Sequence, residues 1–208
     1  MSVGLSSIVD DSHQRQSHFW AEILPPGVGH INDISGDAIW TLSSCKEGLG
    51  VHQLLNDRED TYWQSDGLQP HSITIEFQRK TEVDFLLMFL DYKLDESYTP
   101  SKIQVQTGAS VLDLDEPKSL SFTEPSGWQM IDLRHAGTKR PANVFVIVVQ
   151  IIQNHQNGRD THIRGLKVLG PSNPNANMNR RALARNDELA HYLSDQYFFE
   201  MTFSDSIR

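Results

Sequence analysis

The sequence predicts an all-β fold, an antiparallel sandwich, on three observations. Short apolar segments repeat with a period of two rather than 3.6. Clusters of turn-forming residues separate them at short intervals. No two of them are separated by a long amphipathic helix, the usual crossover of a parallel sheet.

The elements follow in chain order. Residues 1–30 form a polar N-terminal arm with few apolar side chains, ended by "PPGVG" at 25–29; Phe19 and Trp20 are its exception, an aromatic pair able to dock. "VHQLLND" (51–57) predicts one short helix. "ITIEF" (73–77) alternates Ile73, Ile75 and Phe77 inward with Thr74 and Glu76 outward. "VDFLLMF" (83–89) places Val83, Phe85, Leu87 and Phe89 on one face. "KIQVQ" (102–106) alternates through Ile103 and Val105. "NVFVIVVQII" (143–152) has the β-branched density of a central strand, and "IRGLKVLG" (163–170) completes the sandwich domain, 31–170. Turns are expected at "SDGLQP", "DESYTPS", "EPSGW", "HAGTKRP" and "NHQNGRD". From 171 to 208 the chain reads as a linker, "PSNPNANMN", a helix over 180–193 made of good helix formers, and an aromatic tail.

Composition narrows the function classes. The 208 residues suit one domain with tails, large enough for a core without metal or disulfide staples. Lys plus Arg is 18 against 27 Asp plus Glu, a net charge of −9, which argues against general nucleic-acid binding. The single cysteine, Cys45, leaves no internal disulfide, no Asn-x-Ser/Thr acceptor occurs, and the N-terminal stretch is not a secretory signal. The apolar runs "FLLMFL" and "VFVIVV" are too short to span a bilayer. A reducing intracellular compartment is expected.

Enzyme and metal signatures are weak. "GLGVHQ" (48–53) lacks the last glycine of a dinucleotide fingerprint and follows no strand. No nucleophile–base pair is legible, and Cys45 reads as a lone buried or half-buried thiol. His155, Asp160 and His162 have ligand chemistry that zinc accepts, but hydrogen bonding within their loop is the stronger reading. The acidic "DREDTYWQSD" (57–66) lacks the spacing of a calcium loop. No metal or cofactor is expected.

The chemistry lies in three polar loops: "TYWQSDG" (61–67), "DESYTPSK" (95–102) and "NHQNGRDTH" (154–162). Loops at one end of a sandwich cluster in space. Tyr62, Trp63 and Tyr98 offer rigid contact area, while Ser65, Asp66, Glu96, Ser97, Asn154, Gln156 and Asn157 offer hydrogen bonds. The combination suits a peptide or a sugar.

Four stretches carry a family resemblance: "WTLSSCKEGLGVHQLLNDREDTYWQSDGLQPHSITIEF", "DYKLDESYTPSKIQVQ", "EPSGW" and "NHQNGRDTHIR". They resemble the Doc domain, in particular that of the anaphase-promoting complex, the cell-cycle ubiquitin ligase. The likeness covers about Ile34 to Leu169 and returns at the final "SIR". It implies a jelly-roll β-sandwich like the galactose-binding domains. It also implies a non-catalytic role in mitotic ubiquitination, in nucleus and cytoplasm, as co-receptor for the destruction-box degron with a propeller-type activator. The degron surface it implies comprises Ser65, Asp66, Asp95, Glu96, Ser97, Tyr98, Asn154, His155, Gln156, Asn157, Arg159, Asp160 and His162. Ile207 and Arg208 would dock in a tetratricopeptide-repeat subunit, with scaffold subunits as further partners. The segment 173–193 departs from the family. The alternative is an intracellular carbohydrate-binding sandwich; a secreted lectin would more often carry disulfides or glycosylation acceptors.

Overall fold

The β-branched run in the second half of the chain forms the spine of the larger sheet. In the computed structural model, residues 22–56, 58 and 60–171 are described. The expectations for Phe19 and Trp20, for Asp57 and Glu59, for the linker and helix after Pro171, and for Ile207 and Arg208 lie outside these residues. The strands are β1 (Ile31–Asp33), β2 (Ala38–Leu42), β3 (Trp63–Gln64), β4 (His71–Val83), β5 (Phe85–Asp91) and β6 (Pro100–Ser110), followed by β7 (Asp113–Leu114), β8 (Lys118–Ser121), β9 (Ser126–Asp132), β10 (Ala142–Asn154), β11 (His162–Ile163) and β12 (Gly165–Pro171). Two one-turn helices, α1 (Val51–Leu54) and α2 (Tyr92–Asp95), interrupt them.

All registered pairings are antiparallel. One sheet runs β1-β12-β5-β9 and the other β2-β4-β10-β6-β7 with β8 on β6, while β11 and β3 form a small separate ladder. β10 sits between β4 and β6, the central place its composition predicts. The core lies between the sheets. Ile73, Ile75, Phe77, Ile103, Val105, Ile147, Val149 and Ile151 contribute from the six-stranded side, and Leu86, Met88, Leu90, Ile131, Leu166 and Val168 from the other. Each fully buried aliphatic side chain contributes roughly 1.5–3 kcal/mol of transfer free energy. The alternation read in "ITIEF" and "KIQVQ" and the helix at 51 are present as expected.

Three expectations are corrected. Val83 does not share a face with Phe85 and Leu87: it ends β4 inside the main core, the chain turns at Asp84, and Phe85 and Leu87 join Leu169 in a second cluster. "FLLMFL" is apolar on both faces because both are covered, so alternation alone could not show which face meets the opposite sheet. The N-terminal arm is not free along its whole length either. Ile23, Leu24 and Val28 pack on the second cluster together with Ile31, Trp128 and Met130, and so cover the outer face of β5. Cys45 is exposed, not buried.

Candidate functional site

β10 and β6 end and begin the loop region together, since Asn154 pairs with Pro100, and β4 starts beside Ile151. The connections β3–β4, β5–β6 and β10–β11 therefore meet at one end of the sandwich, and buried polar ties lock them. The Asp91 carboxylate caps α2 by accepting from the backbone N–H groups of Lys93 and Leu94 at 2.9 and 3.2 Å. That turn delivers Asp95, which is buried. Arg164 donates Nε to Oδ2 at 2.7 Å and Nη2 to Oδ1 at 2.8 Å, and His162 donates Nδ1 to Oδ1 at 2.9 Å. His162 and Arg164 stand two residues apart, the spacing that puts extended side chains on one side.

The electrostatics follow from this geometry. Burial pushes the Asp95 carboxyl upward, but hydrogen bonds from His162 and Arg164 and the guanidinium charge outweigh it, so its pKa lies below the ordinary value. Arg164 is raised by its hydrogen bond to Asp95. The His162 ring is sandwiched between Tyr62 and Tyr98, each with centroids 4.2 Å away, and Arg164 lies over the Tyr62 ring at 5.3 Å. With Nδ1 donating, Nε2 has no hydrogen-bond partner among the described residues and is buried.

A second set of ties holds 154–162. Thr161 N–H donates to Ser65 Oγ at 2.9 Å, and Ser65 N–H donates back to the Thr161 carbonyl at 3.1 Å. Asn154 Nδ2 donates to the carbonyls of Gly158 and Asp160, and Asn154 Oδ1 accepts from Thr161 Oγ1. His155 donates Nδ1 to the Thr99 carbonyl at 3.0 Å, and its Nε2 accepts from Glu124 N–H at 3.4 Å. Gln69 and His71 both donate to the Arg159 carbonyl. Gly158 has an ordinary extended backbone, but a Cβ there would lie 1.8 Å from the Ser97 carbonyl oxygen; only glycine fits between these loops.

The residues expected at this surface therefore divide. Ser65, Asp95, Asn154 and His162 are buried, so they shape the loops rather than face a ligand. Their place at the expected surface is that of buried supports beneath the exposed loop residues. Asp66, Glu96, Tyr98, Gln156, Asn157 and Arg159 are exposed, and Ser97, His155 and Asp160 are half-buried. Trp63 is fully buried, with Nε1 donating to the Ser44 carbonyl, and offers no contact area. Glu96, Gln156 and Asn157 have φ of 45°, 52° and 56°, a left-handed conformation that costs a non-glycine residue roughly 1–2 kcal/mol. Such residues concentrate at functional sites. Sequence reasoning passed over Arg164, Thr161, Gln69 and His71. The readable signal was Arg164 two residues after His162, a cation in a strand-like stretch that must find an acid.

Among the described residues no group of three or more His, Cys, Asp or Glu is placed to hold a metal ion. His155 and His162 are committed to Thr99 and Asp95.

Comparison with known proteins adds the remaining findings. The sequence model of the family described as "Anaphase-promoting complex, subunit 10 (APC10)" matches residues 6–192. The human protein named anaphase-promoting complex subunit 10 is 48% identical over 155 residues, covering 71% of this chain and 83% of that one. The Saccharomyces cerevisiae protein named anaphase-promoting complex subunit DOC1 is 36% identical over 163 residues, covering 77% of this chain and 64% of that one. Among solved structures, the family 32 carbohydrate-binding module of Clostridium perfringens NanJ, in complex with galactose, superposes with a TM-score of 0.55 at 12% identity, over 67% of this chain and 99% of that one. This last likeness is one of fold, and the fold is the jelly-roll sandwich.

Proposed function

Because the chain belongs to the anaphase-promoting complex subunit 10 family, we propose that it is a non-catalytic, substrate-recognition subunit of that ubiquitin ligase, binding the destruction-box degron together with a propeller-type activator. The observation that carries this reading is the division of labour in the loops. Buried ties centred on Asp95 and Asn154 fix the backbone, and they leave Asp66, Glu96, Tyr98, Gln156, Asn157 and Arg159 facing outward. A surface that is polar, aromatic and held rigid pays little ordering entropy when a short extended peptide binds.

The test is made in the assembled ligase with its activator. Glu96, Gln156, Asn157 and Arg159 are replaced together by Ala. Each peptide hydrogen bond contributes about 0.5–1.5 kcal/mol net, so losing several lowers degron capture roughly tenfold or more. The expected result is a variant that melts like the wild type, joins the complex, and ubiquitinates a destruction-box substrate poorly. Full ubiquitination would assign degron recognition elsewhere. Ile207 and Arg208 are proposed to dock in a tetratricopeptide-repeat subunit; tail peptides ending in Ile-Arg, Ile-Arg-amide and Ala-Ala would bind that subunit with falling affinity, and equal affinities would reject it.

A further inference from the structure

The two asparagines of the β10–β11 loop are held differently. Asn154 is buried and its amide is committed: Nδ2 donates to the carbonyls of Gly158 and Asp160 at 3.2 and 2.8 Å, and Oδ1 accepts from Thr161 Oγ1 at 3.1 Å. Its successor His155 donates its backbone N–H to the Thr99 carbonyl at 2.9 Å. Asn157 is exposed and has a left-handed φ of 56°, and its amide has no hydrogen-bond partner among the described residues. Gly158 follows it, the chain's one Asn-Gly step. Glycine has no Cβ to screen its own nitrogen. The Gly158 N–H is restrained by one bond, 3.0 Å to the His155 carbonyl of the same short turn. Asn32 and Asn143, by contrast, lie in β1 and β10 ahead of Asp33 and Val144, where ladder pairing fixes the backbone.

An exposed carboxamide thus stands beside the least hindered kind of backbone nitrogen. We infer that Asn157 is a site of spontaneous deamidation in the folded chain. The Gly158 N–H gives its proton to solvent, and the nitrogen attacks Asn157 Cγ. The new C–N bond closes a succinimide ring as Cγ–Nδ2 breaks, and ammonia leaves with a proton taken from water. Water then opens the ring at either carbonyl. Cleavage at Cγ gives an aspartyl residue in an unchanged main chain. Cleavage at the α-carbonyl carbon gives an isoaspartyl residue, with the main chain running through Cβ and Cγ. Water enters, ammonia leaves, and nothing is oxidised or reduced.

The two products act differently on the loops. The aspartyl form keeps the backbone but exchanges an amide donor for an acceptor-only carboxylate, on a surface that already exposes Asp66 and Glu96. The isoaspartyl form lengthens the main chain by a methylene carbon next to Gly158, where a Cβ would already lie 1.8 Å from the Ser97 carbonyl oxygen. Accommodating it displaces Gly158, whose carbonyl accepts from Asn154 Nδ2 and Gln69 Nε2. The first product alters contacts; the second loosens the lock. This consequence for binding rests on the degron reading proposed above, whereas the modification itself does not.

Peptide mapping by mass spectrometry tests the site, on full-length chain aged in its folded state at mildly alkaline pH, with chain in urea as the reference for an open loop. Asn157 is expected to convert several-fold faster than Asn32, Asn56, Asn143 or Asn154, and several-fold slower than in urea, because closing the ring breaks the Gly158–His155 bond. An isoaspartate-specific carboxyl methyltransferase with a labelled methyl donor is expected to mark this peptide in the aged chain, and not in Asn157→Gln, whose longer side chain cyclises far more slowly. Conversion no faster than at the other four asparagines, or confined to urea, overturns the proposal. Capture of a destruction-box peptide by the assembled ligase reads the consequence. Asn157→Asp is expected to weaken it several-fold without changing the melt, and the aged, isoaspartyl-rich chain to weaken it further, with faster amide exchange over 95–99 and 154–162. If both capture like fresh chain while joint alanine replacement of Glu96, Gln156, Asn157 and Arg159 abolishes capture, the modification does not control binding and that consequence is wrong. If the joint replacement also captures fully, the degron reading fails and the modification site stands.

Discussion

Arg164 holds Asp95 through two nitrogens, at 2.7 and 2.8 Å, across 69 residues of sequence. The pair joins β11–β12 to the turn after β5, so two of the three site loops share one buried ion pair. Breaking such a pair strands a charge out of water, at a cost of about 3–5 kcal/mol. Arg164→Ala and Asp95→Ala are each expected to lose stability on that scale in urea titrations, and the double variant less than their sum. Strict additivity would show that the two do not act as a unit.

Gly158 predicts a narrower effect. The Ser97 carbonyl occupies the space a methyl group would need. Gly158→Ala is therefore expected to push the 95–99 and 154–162 loops apart and weaken the degron capture proposed for them, with amide exchange rising in those loops and not in β10. Unchanged exchange in both loops would show that the contact has room to relax.

Acid should unfold this domain through identifiable groups. The Asp95 carboxyl is depressed in the folded state, so its stabilisation is present above the ordinary Asp value of about 3.9 and is lost as pH falls toward the folded pKa. Asp132 is depressed further by hydrogen bonding to Arg134, then to Lys139. Asp84 opposes them: burial raises its pKa, so its contribution is greatest below about 3.9 and is lost as pH rises through the folded value. Urea midpoints are expected to fall below pH 4 in the wild type and to fall less steeply in Asp132→Asn. Parallel curves would remove Asp132 from the account.

The N-terminal arm separates into two parts by deletion. Removing 1–21 is expected to leave the melting temperature near that of the full chain. Removing 1–30 also takes Ile23, Leu24 and Val28 off Phe85, Leu87 and Leu169. Three partly buried side chains contribute on the order of 2–4 kcal/mol. Equal melting temperatures for the two deletions would show that this packing adds nothing.

These cases mark what the sequence could and could not say. Strands with one wet face, such as Ile73–Phe77, were legible because polar residues label that face. β5 was not, since a cover formed by residues fifty or more positions upstream leaves no polar label. The loops were legible as a group from their composition. Their division into buried and exposed members was not, because Asn154 and Asn157 are the same residue type, and only long-range partners decide which one faces water. Arg164 reads as a surface cation until Asp95 is placed beside it.

The bond between Thr161 and Ser65 spans 96 residues, and the β3–β11 ladder spans a similar interval. A ribosome therefore has the first loop outside its tunnel long before the segment that completes the surface exists. Contacts this distant in sequence form late and slowly. A nascent or truncated chain ending before Thr161 has the loops around Tyr62 and Tyr98 without their locks. Formation of the loop surface is thus tied to synthesis past the β11 segment, and a premature stop before it leaves the earlier loops unlocked.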